Sequence, residues 1–267
     1  MAFHAPVRRR RRLRLAADAI EMTAMRRLPA IVCALLLSCA SGCARPAMDH
    51  DPFSNPDLAP LADAVRRGDV PEIRRQLERI EPDTPGSDGS TLLLDAIARG
   101  RVDSAEALLD AGADPNRIGP RGDTPVHAAA FSGDPELLRQ VLAHGGDPDI
   151  RNPHTGATPL VQALLSPRAG QIRPLLDAGA DPNLADLNAD TPLHVAARTN
   201  AGGAILALLA HGAAPQARNG GGSTFQPYYF GYRRALLNDQ ALDERRRVVA
   251  WLKDHDVPLE AGVDADD

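Results

Sequence analysis

Four threonines, Thr91, Thr124, Thr158 and Thr191, stand 33, 34 and 33 residues apart in this 267-residue chain. They open the motifs Thr91-Leu92-Leu93-Leu94, Thr124-Pro125-Val126-His127, Thr158-Pro159-Leu160-Val161 and Thr191-Pro192-Leu193-His194. Each Thr is followed 21 residues later by a second signature: Gly112-Ala113-Asp114-Pro115, Gly145-Gly146-Asp147-Pro148, Gly179-Ala180-Asp181-Pro182 and Gly212-Ala213-Ala214-Pro215. The one extra residue falls in Arg151-Asn152-Pro153-His154. Two motifs in fixed register over four periods mean one unit repeated. Such a unit cannot bury its apolar face alone and has to stack on its neighbours.

The residues of the unit predict two short helices and a loop. Thr suits a helix N-cap, and Pro suits the first helical position, where a missing N–H costs nothing. Small apolar residues follow, such as Ala128-Ala129-Ala130 and Val195-Ala196-Ala197, and let helices approach closely. The second helix carries paired leucines, Leu108-Leu109, Leu137-Leu138, Leu175-Leu176 and Leu208-Leu209. Gly then supplies a left-handed turn, and Asp-Pro starts the loop to the next unit. The 22 Gly and 23 Pro are thus punctuation of a repeat. Aromatics are only 3% of the chain, so the core rests on Leu, Ala and Val, which suits thin, closely stacked helices.

These motifs resemble the ankyrin repeat, with its 33-residue period and T-P-L-H-x-A opening. The resemblance covers residues 60–260 and implies an all-α ankyrin-repeat solenoid of about six units, near 60–87, 88–120, 121–154, 155–187, 188–220 and 221–260. The end units depart from the pattern, as caps do. The first lacks the Thr and has a polar second helix. The last starts at Thr224 and closes late, at Asp256, because of an insertion that falls in an aromatic-rich segment. Residues 261–267 read as an acidic tail.

The N-terminal part reads as an address. Met25-Arg26-Arg27 precedes an uncharged run from Leu28 to Ala44 that is short for a membrane-spanning helix and fits a signal peptide, residues 25–42. Cys39-Ala40-Ser41-Gly42-Cys43 resembles the lipobox of bacterial lipoproteins, with Ala40 in place of the usual aliphatic residue. That resemblance implies lipidation at Cys43; cleavage near Ala40–Ala44 without lipid is the alternative. Residues 1–24 are read as a leader upstream of the true start at Met25, or as an Arg-rich extension of the signal. Residues 43–59 are Pro-rich and polar and are expected to form a flexible tether. The expected location is the bacterial periplasm, anchored to the outer membrane, with membrane contact only through the lipid.

Charge and cysteine content exclude several functions. Beyond Cys43 the chain holds 22 Lys and Arg against 33 Asp and Glu, which argues against nucleic acid as a partner. Cys33, Cys39 and Cys43 are the only cysteines, so the body has no disulfide and no thiolate metal site. His127 and His194 occupy the position that, in the ankyrin pattern, bonds to backbone and the neighbouring Thr. The reading for them, and for Thr91, Thr124, Thr158 and Thr191, is structural. No nucleophile motif accompanies them. The chain is expected to be no enzyme, with no cofactor and no metal, and a monomer.

Ankyrin stacks bind through finger-like loops and the face of their first helices. Carried onto this sequence, the resemblance implies partner-binding residues Arg117, Ile118, Arg121, Arg151, His154, Asp186, Leu187 and Arg218, which vary from unit to unit within a fixed frame. Tyr228, Tyr229, Phe230 and Tyr232 join them as aromatic anchors, with packing over the last unit as the alternative. The implied function is a non-catalytic protein-binding scaffold of the bacterial envelope. Its organisation resembles both ankyrin lipoproteins that act as immunity proteins, neutralising a secreted effector enzyme such as a lipase, and periplasmic ankyrin proteins linked to peroxide defence. The sequence does not choose between them.

Overall fold

In the computed structural model, residues 51–166, 170–261 and 263 are described; residues 1–50, including Cys43 and the signal segment, lie outside them. The first unit pairs α1 (Ala59–Arg67) with α2 (Val70–Leu77), and the second pairs α3 (Leu92–Ala98) with α4 (Val102–Asp110). The third is α5 (Pro125–Ser132) and α6 (Pro135–Ala143), the fourth α7 (Pro159–Leu165) and α8 (Ile172–Asp177). The fifth is α9 (Pro192–Arg198) and α10 (Gly202–Ala210), the sixth α11 (Gln226–Phe230) and α12 (Asp239–Asp254). No strand occurs among the described residues. First helices pack on first helices and second on second, from one end of the stack to the other.

The caps explain where each helix starts and stops. Thr91, Thr124 and Thr158 sit in extended backbone and accept from the N–H three residues on, at Leu94, His127 and Val161. After four second helices a glycine takes a left-handed conformation: Gly112, Gly145, Gly179 and Gly212 have φ of 91°, 90°, 90° and 86°. An L side chain there would be strained, which fixes glycine at this position of the period. The loop before each first helix is closed by a backbone bond across its base. Gly119 N donates to Asp123 O, Asn152 N to Ala157 O, Asp186 N to Asp190 O and Asn219 N to Ser223 O. These loops are the fingers.

Burial follows the period. The residues five and six after each Thr are core: Ala96 and Ile97, Ala129 and Ala130, Ala163 and Leu164, Ala196 and Ala197. A turn residue links neighbouring units. Asn116 Nδ2 donates to Gly145 O at 2.8 Å while its Oδ1 accepts from Asp147 N at 2.8 Å. Asn183 does the same with Gly212 O and Ala214 N. The sequence reading treated these positions only as loop starts; in the fold they are inter-unit rungs.

One boundary shifts. Phe53 and Leu58 are buried in the core, and Asp51 is paired with Arg66 of α1, so residues 51–58 are part of the folded body and not of a free tether. At the other end, Thr224 Oγ1 donates to Glu260 and Gln226 Nε2 to Pro258 O, which ties the segment after α12 to the start of the sixth unit.

Candidate binding face

The face to be built is lined by the fingers and by the first-helix positions four and seven residues after each Thr. Arg198, at the second of these positions, shows how the register works. Its guanidinium pairs with Asp190 at the base of its own finger and lies over the ring of Tyr228, 5.3 Å from the centroid, in the next unit. Asp190 also accepts from Asn219 Nδ2 of the next finger, and Asn219 in turn donates to Tyr228 Oη. The carboxyl of Asp190 is held below its ordinary range; burial opposes this, and the bonds from Arg198 and Asn219 outweigh it. Fingers and the seventh position therefore share one surface.

The same register at the other end holds a second ion-pair network. Arg66 occupies the seventh position of the first unit and pairs with Asp51 and with Asp95 of α3, and Asp95 also takes Arg99. The two-pronged bond from Arg66 drives the Asp51 carboxyl down to about 2. Between these networks the seventh position is apolar and uncovered: Phe131 is 49% exposed and Leu165 53%. They end successive first helices, and Ser166 Oγ donates to Phe131 O at 3.0 Å. Gln162 of the fourth unit reaches Asp123 at the third unit's finger base at 3.5 Å.

The fingers carry most of the side chains expected to bind. Arg117, Arg121, Arg151 and His154 are exposed, as are Ile118 and Leu187. Arg151 donates to Ala185 O of the next finger and Arg218 to Gly222 O of its own, each at 2.6 Å. Asp186 is turned inward: its Oδ1 accepts from Asn188 N and Asp190 N and shapes the loop.

The aromatic cluster divides. Tyr229 and Phe230 are buried, 1% and 7% exposed, which corrects their assignment as partner-binding residues. The reason is register: they stand five and six residues after Thr224, core positions of which the fifth is alanine in the four inner units. Gly202 leaves the room for the ring, since a Cβ there would lie 2.3 Å from Tyr229 Oη. Burial, reinforced by the charge of Glu244, pushes the Tyr229 phenol up to about 12. Tyr228 and Tyr232 fall at positions four and eight and reach the surface. Tyr232 is 40% exposed, with its hydroxyl donating to Arg198 O. Arg245 of α12 is buried under them. Its Nη2 donates to Tyr229 O at 2.9 Å and Tyr232 O at 3.1 Å, and its guanidinium lies against both Tyr229 and Phe230.

Sequence reasoning passed over Phe131, Leu165, Arg66, Arg198 and Arg245. The first four were legible as the seventh position of their units; Arg245, in a helix outside the period, was not. His127 and His194 face inward: in each, Nδ1 takes the N–H of the capping Thr and Nε2 donates to the next unit, at Ala157 O and Ser223 O. No group of three His, Cys, Asp or Glu able to hold a metal occurs among the described residues.

Comparison with known proteins agrees with this architecture. Residues 126–219 match a family model described as ankyrin repeats (3 copies), and residues 93–142 one described as ankyrin repeats (many copies). Protein PhlB of Serratia liquefaciens is 42% identical over 149 residues, which is 56% of this chain and 66% of that protein. The E3 ubiquitin-protein ligase KEG of Arabidopsis thaliana is 30% identical over 206 residues, 70% of this chain but 13% of that protein. The chain thus spans less than two thirds of either relative. Among solved structures, the ankyrin repeat domain of Bcl-3 superposes with a TM-score of 0.63 at 25% identity, covering 76% of this chain and 88% of that one.

Proposed function

Because the chain is an ankyrin-repeat protein, we propose that it works as a protein-binding scaffold through its fingers and first-helix face, without chemistry of its own. The observation that carries this is the pair Phe131 and Leu165. Both are large, apolar and about half exposed at the same position of successive units, where the first and fifth units place ion-paired arginines. Nothing in the packing of the stack calls for them, and adjacent exposed apolar side chains rimmed by polar groups mark interaction sites.

The partner belongs to the bacterial envelope on this reading, with the body tethered through a lipid on Cys43 and the chain acting as a monomer. The signal-like run from Leu28, the lipobox-like Cys39–Cys43 segment and the bacterial relative PhlB support it.

Affinity capture with the full chain from a bacterial envelope extract tests the function. One or more proteins are expected on the wild type and are expected to be lost from the Phe131→Asp/Leu165→Asp variant. Identical capture by both chains overturns the face. Fractionation tests the anchor: Cys43→Ser is expected to move the protein from membranes to the soluble fraction, and an unchanged distribution removes the lipid.

A further inference from the structure

The finger cations Arg117, Arg121, Arg151 and Arg218 are exposed, and among the described residues none of them is in an ion pair. The finger carboxylates are engaged at home. Asp88 takes both donors of Ser90, Asp123 takes Asn152, and Asp186 takes two backbone N–H groups. The seventh-position arginines of the first and fifth units are neutralised by Asp51, Asp95 and Asp190. The second helices and their turns carry both signs, with Asp103, Glu106, Asp110, Asp147 and Asp177 exposed beside Arg75, Arg79, Arg139 and Arg173. The loops 117–123 and 150–157 thus carry Arg117, Arg121 and Arg151 against one carboxylate, Asp123, beside the apolar pair.

We infer that the occupant of this face is an acidic protein segment with an apolar side chain among its carboxylates. The apolar group seats on Phe131 and Leu165, and the flanking carboxylates meet Arg121 and Arg151 on the fingers that open the third and fourth units. The register puts these four side chains in consecutive units. Two links hold the arrangement together: Asn152 Nδ2 donates to Arg121 O at 3.1 Å, and Gln162 reaches Asp123 from the first-helix face. Arg is suited to this work, because its planar fork takes a carboxylate through two parallel bonds. Complementary charge of this kind sets partner choice and speeds encounter.

A phosphate polymer or an anionic bilayer fits less well. Either would be held by a continuous row of cations, whereas here the cations flank an apolar centre and Asp88, Asp123 and Asp186 stand among them.

This inference rests on the protein-binding reading above and goes further by naming the chemistry of the partner. The test is a selection from a displayed library of random dodecapeptides on the immobilised full chain. Enriched peptides are expected to carry Asp or Glu on both sides of a Leu, Phe or Trp. Their affinity is expected to fall about tenfold or more for Arg121→Glu/Arg151→Glu and for Phe131→Ala/Leu165→Ala. Arg139→Glu, on the exposed outer side of α6, is the control and is expected to bind like the wild type. All these side chains are exposed, and circular dichroism checks that the variants fold. Neutral or basic peptides that still depend on Phe131 and Leu165 overturn the acidic occupant and leave protein binding at this face standing. Acidic peptides retained by both double variants overturn the location. Failure to enrich any peptide overturns both readings. Tighter, Arg121- and Arg151-dependent binding of phosphatidylglycerol vesicles or single-stranded DNA than of any selected peptide assigns the cations to lipid or nucleic acid.

Discussion

Nε2 of His127 donates to the carbonyl of Ala157 at 3.0 Å, across the seam between the third and fourth units. Its Nδ1 accepts from Thr124 N, so the ring is neutral with its proton on Nε2. One side chain thus closes the start of its own helix and fastens the next finger. His127→Ala leaves the buried Thr124 N–H without its acceptor and takes from the Ala157 carbonyl one of its two donors, the other being Asn152 N. The expected loss is about 2–3 kcal/mol, read from chemical denaturation.

Burial also holds the His127 imidazole below its ordinary value of 6.5, against weaker opposite pulls from the Ala157 bond and Asp123. The unfolded chain takes up this proton at a higher pH than the folded one. The stabilisation is therefore complete above 6.5 and is lost as pH falls through the lower folded value. Melting temperature is expected to drop between about pH 7 and 5, and to drop less steeply in His127→Gln. Parallel slopes for the two proteins would remove His127 as the cause.

Asp149, like Asp83 below Asp114 N, is an aspartate where two other rungs have Asn116 and Asn183. Its carboxylate accepts from Asp181 N at 2.8 Å but has no donor for the carbonyl of the following glycine. Burial comes first and the charges of Asp181 and Asp147 add to it, raising its pKa. A carboxylate with a raised folded pKa costs stability above that value and less as pH falls. Asp149→Asn supplies the missing donor and removes the charge. It is expected to stabilise the protein by about 1 kcal/mol at neutral pH and to flatten the acid side of the stability profile.

Gly202 is the floor under Tyr229. A Cβ there would meet Tyr229 Oη at 2.3 Å and the Glu244 Cβ at 2.6 Å. Gly202→Ala is expected to cost about 1–3 kcal/mol, although alanine favours helix. A gain in thermal stability would show that the ring has somewhere else to go.

Tyr229 and Tyr232 lie three residues apart and differ in what they do. Tyr229→Ala opens a cavity in the closing unit and is expected to cost about 3–5 kcal/mol. Tyr232→Ala is expected to stay within about 0.5 kcal/mol of wild type, its effect confined to binding. Equal losses in the two variants would contradict the partition of the aromatic cluster.

The sequence by itself determined the stack. Thr91, Thr124, Thr158 and Thr191, their following prolines and the left-handed glycines are short-range devices. Cap, first turn and helix end lie within one unit, so spacing alone reveals them. The period also carried more than was drawn from it. Counting from Thr224 puts Tyr229 and Phe230 at core positions and Tyr232 outside, and counting from Thr124 and Thr158 puts Phe131 and Leu165 on the open face. Tertiary structure decided what depends on pairing between units. The closure of the sixth unit needs Arg245 from α12 beneath the carbonyls of Tyr229 and Tyr232, and the packing of residues 51–58 needs Arg66 to hold Asp51. The state of the finger cations is of the same kind. Whether an arginine is spent on a neighbouring aspartate, as Arg198 is on Asp190, or left for a partner, as Arg121 is, turns on distances between side chains that no linear spacing records.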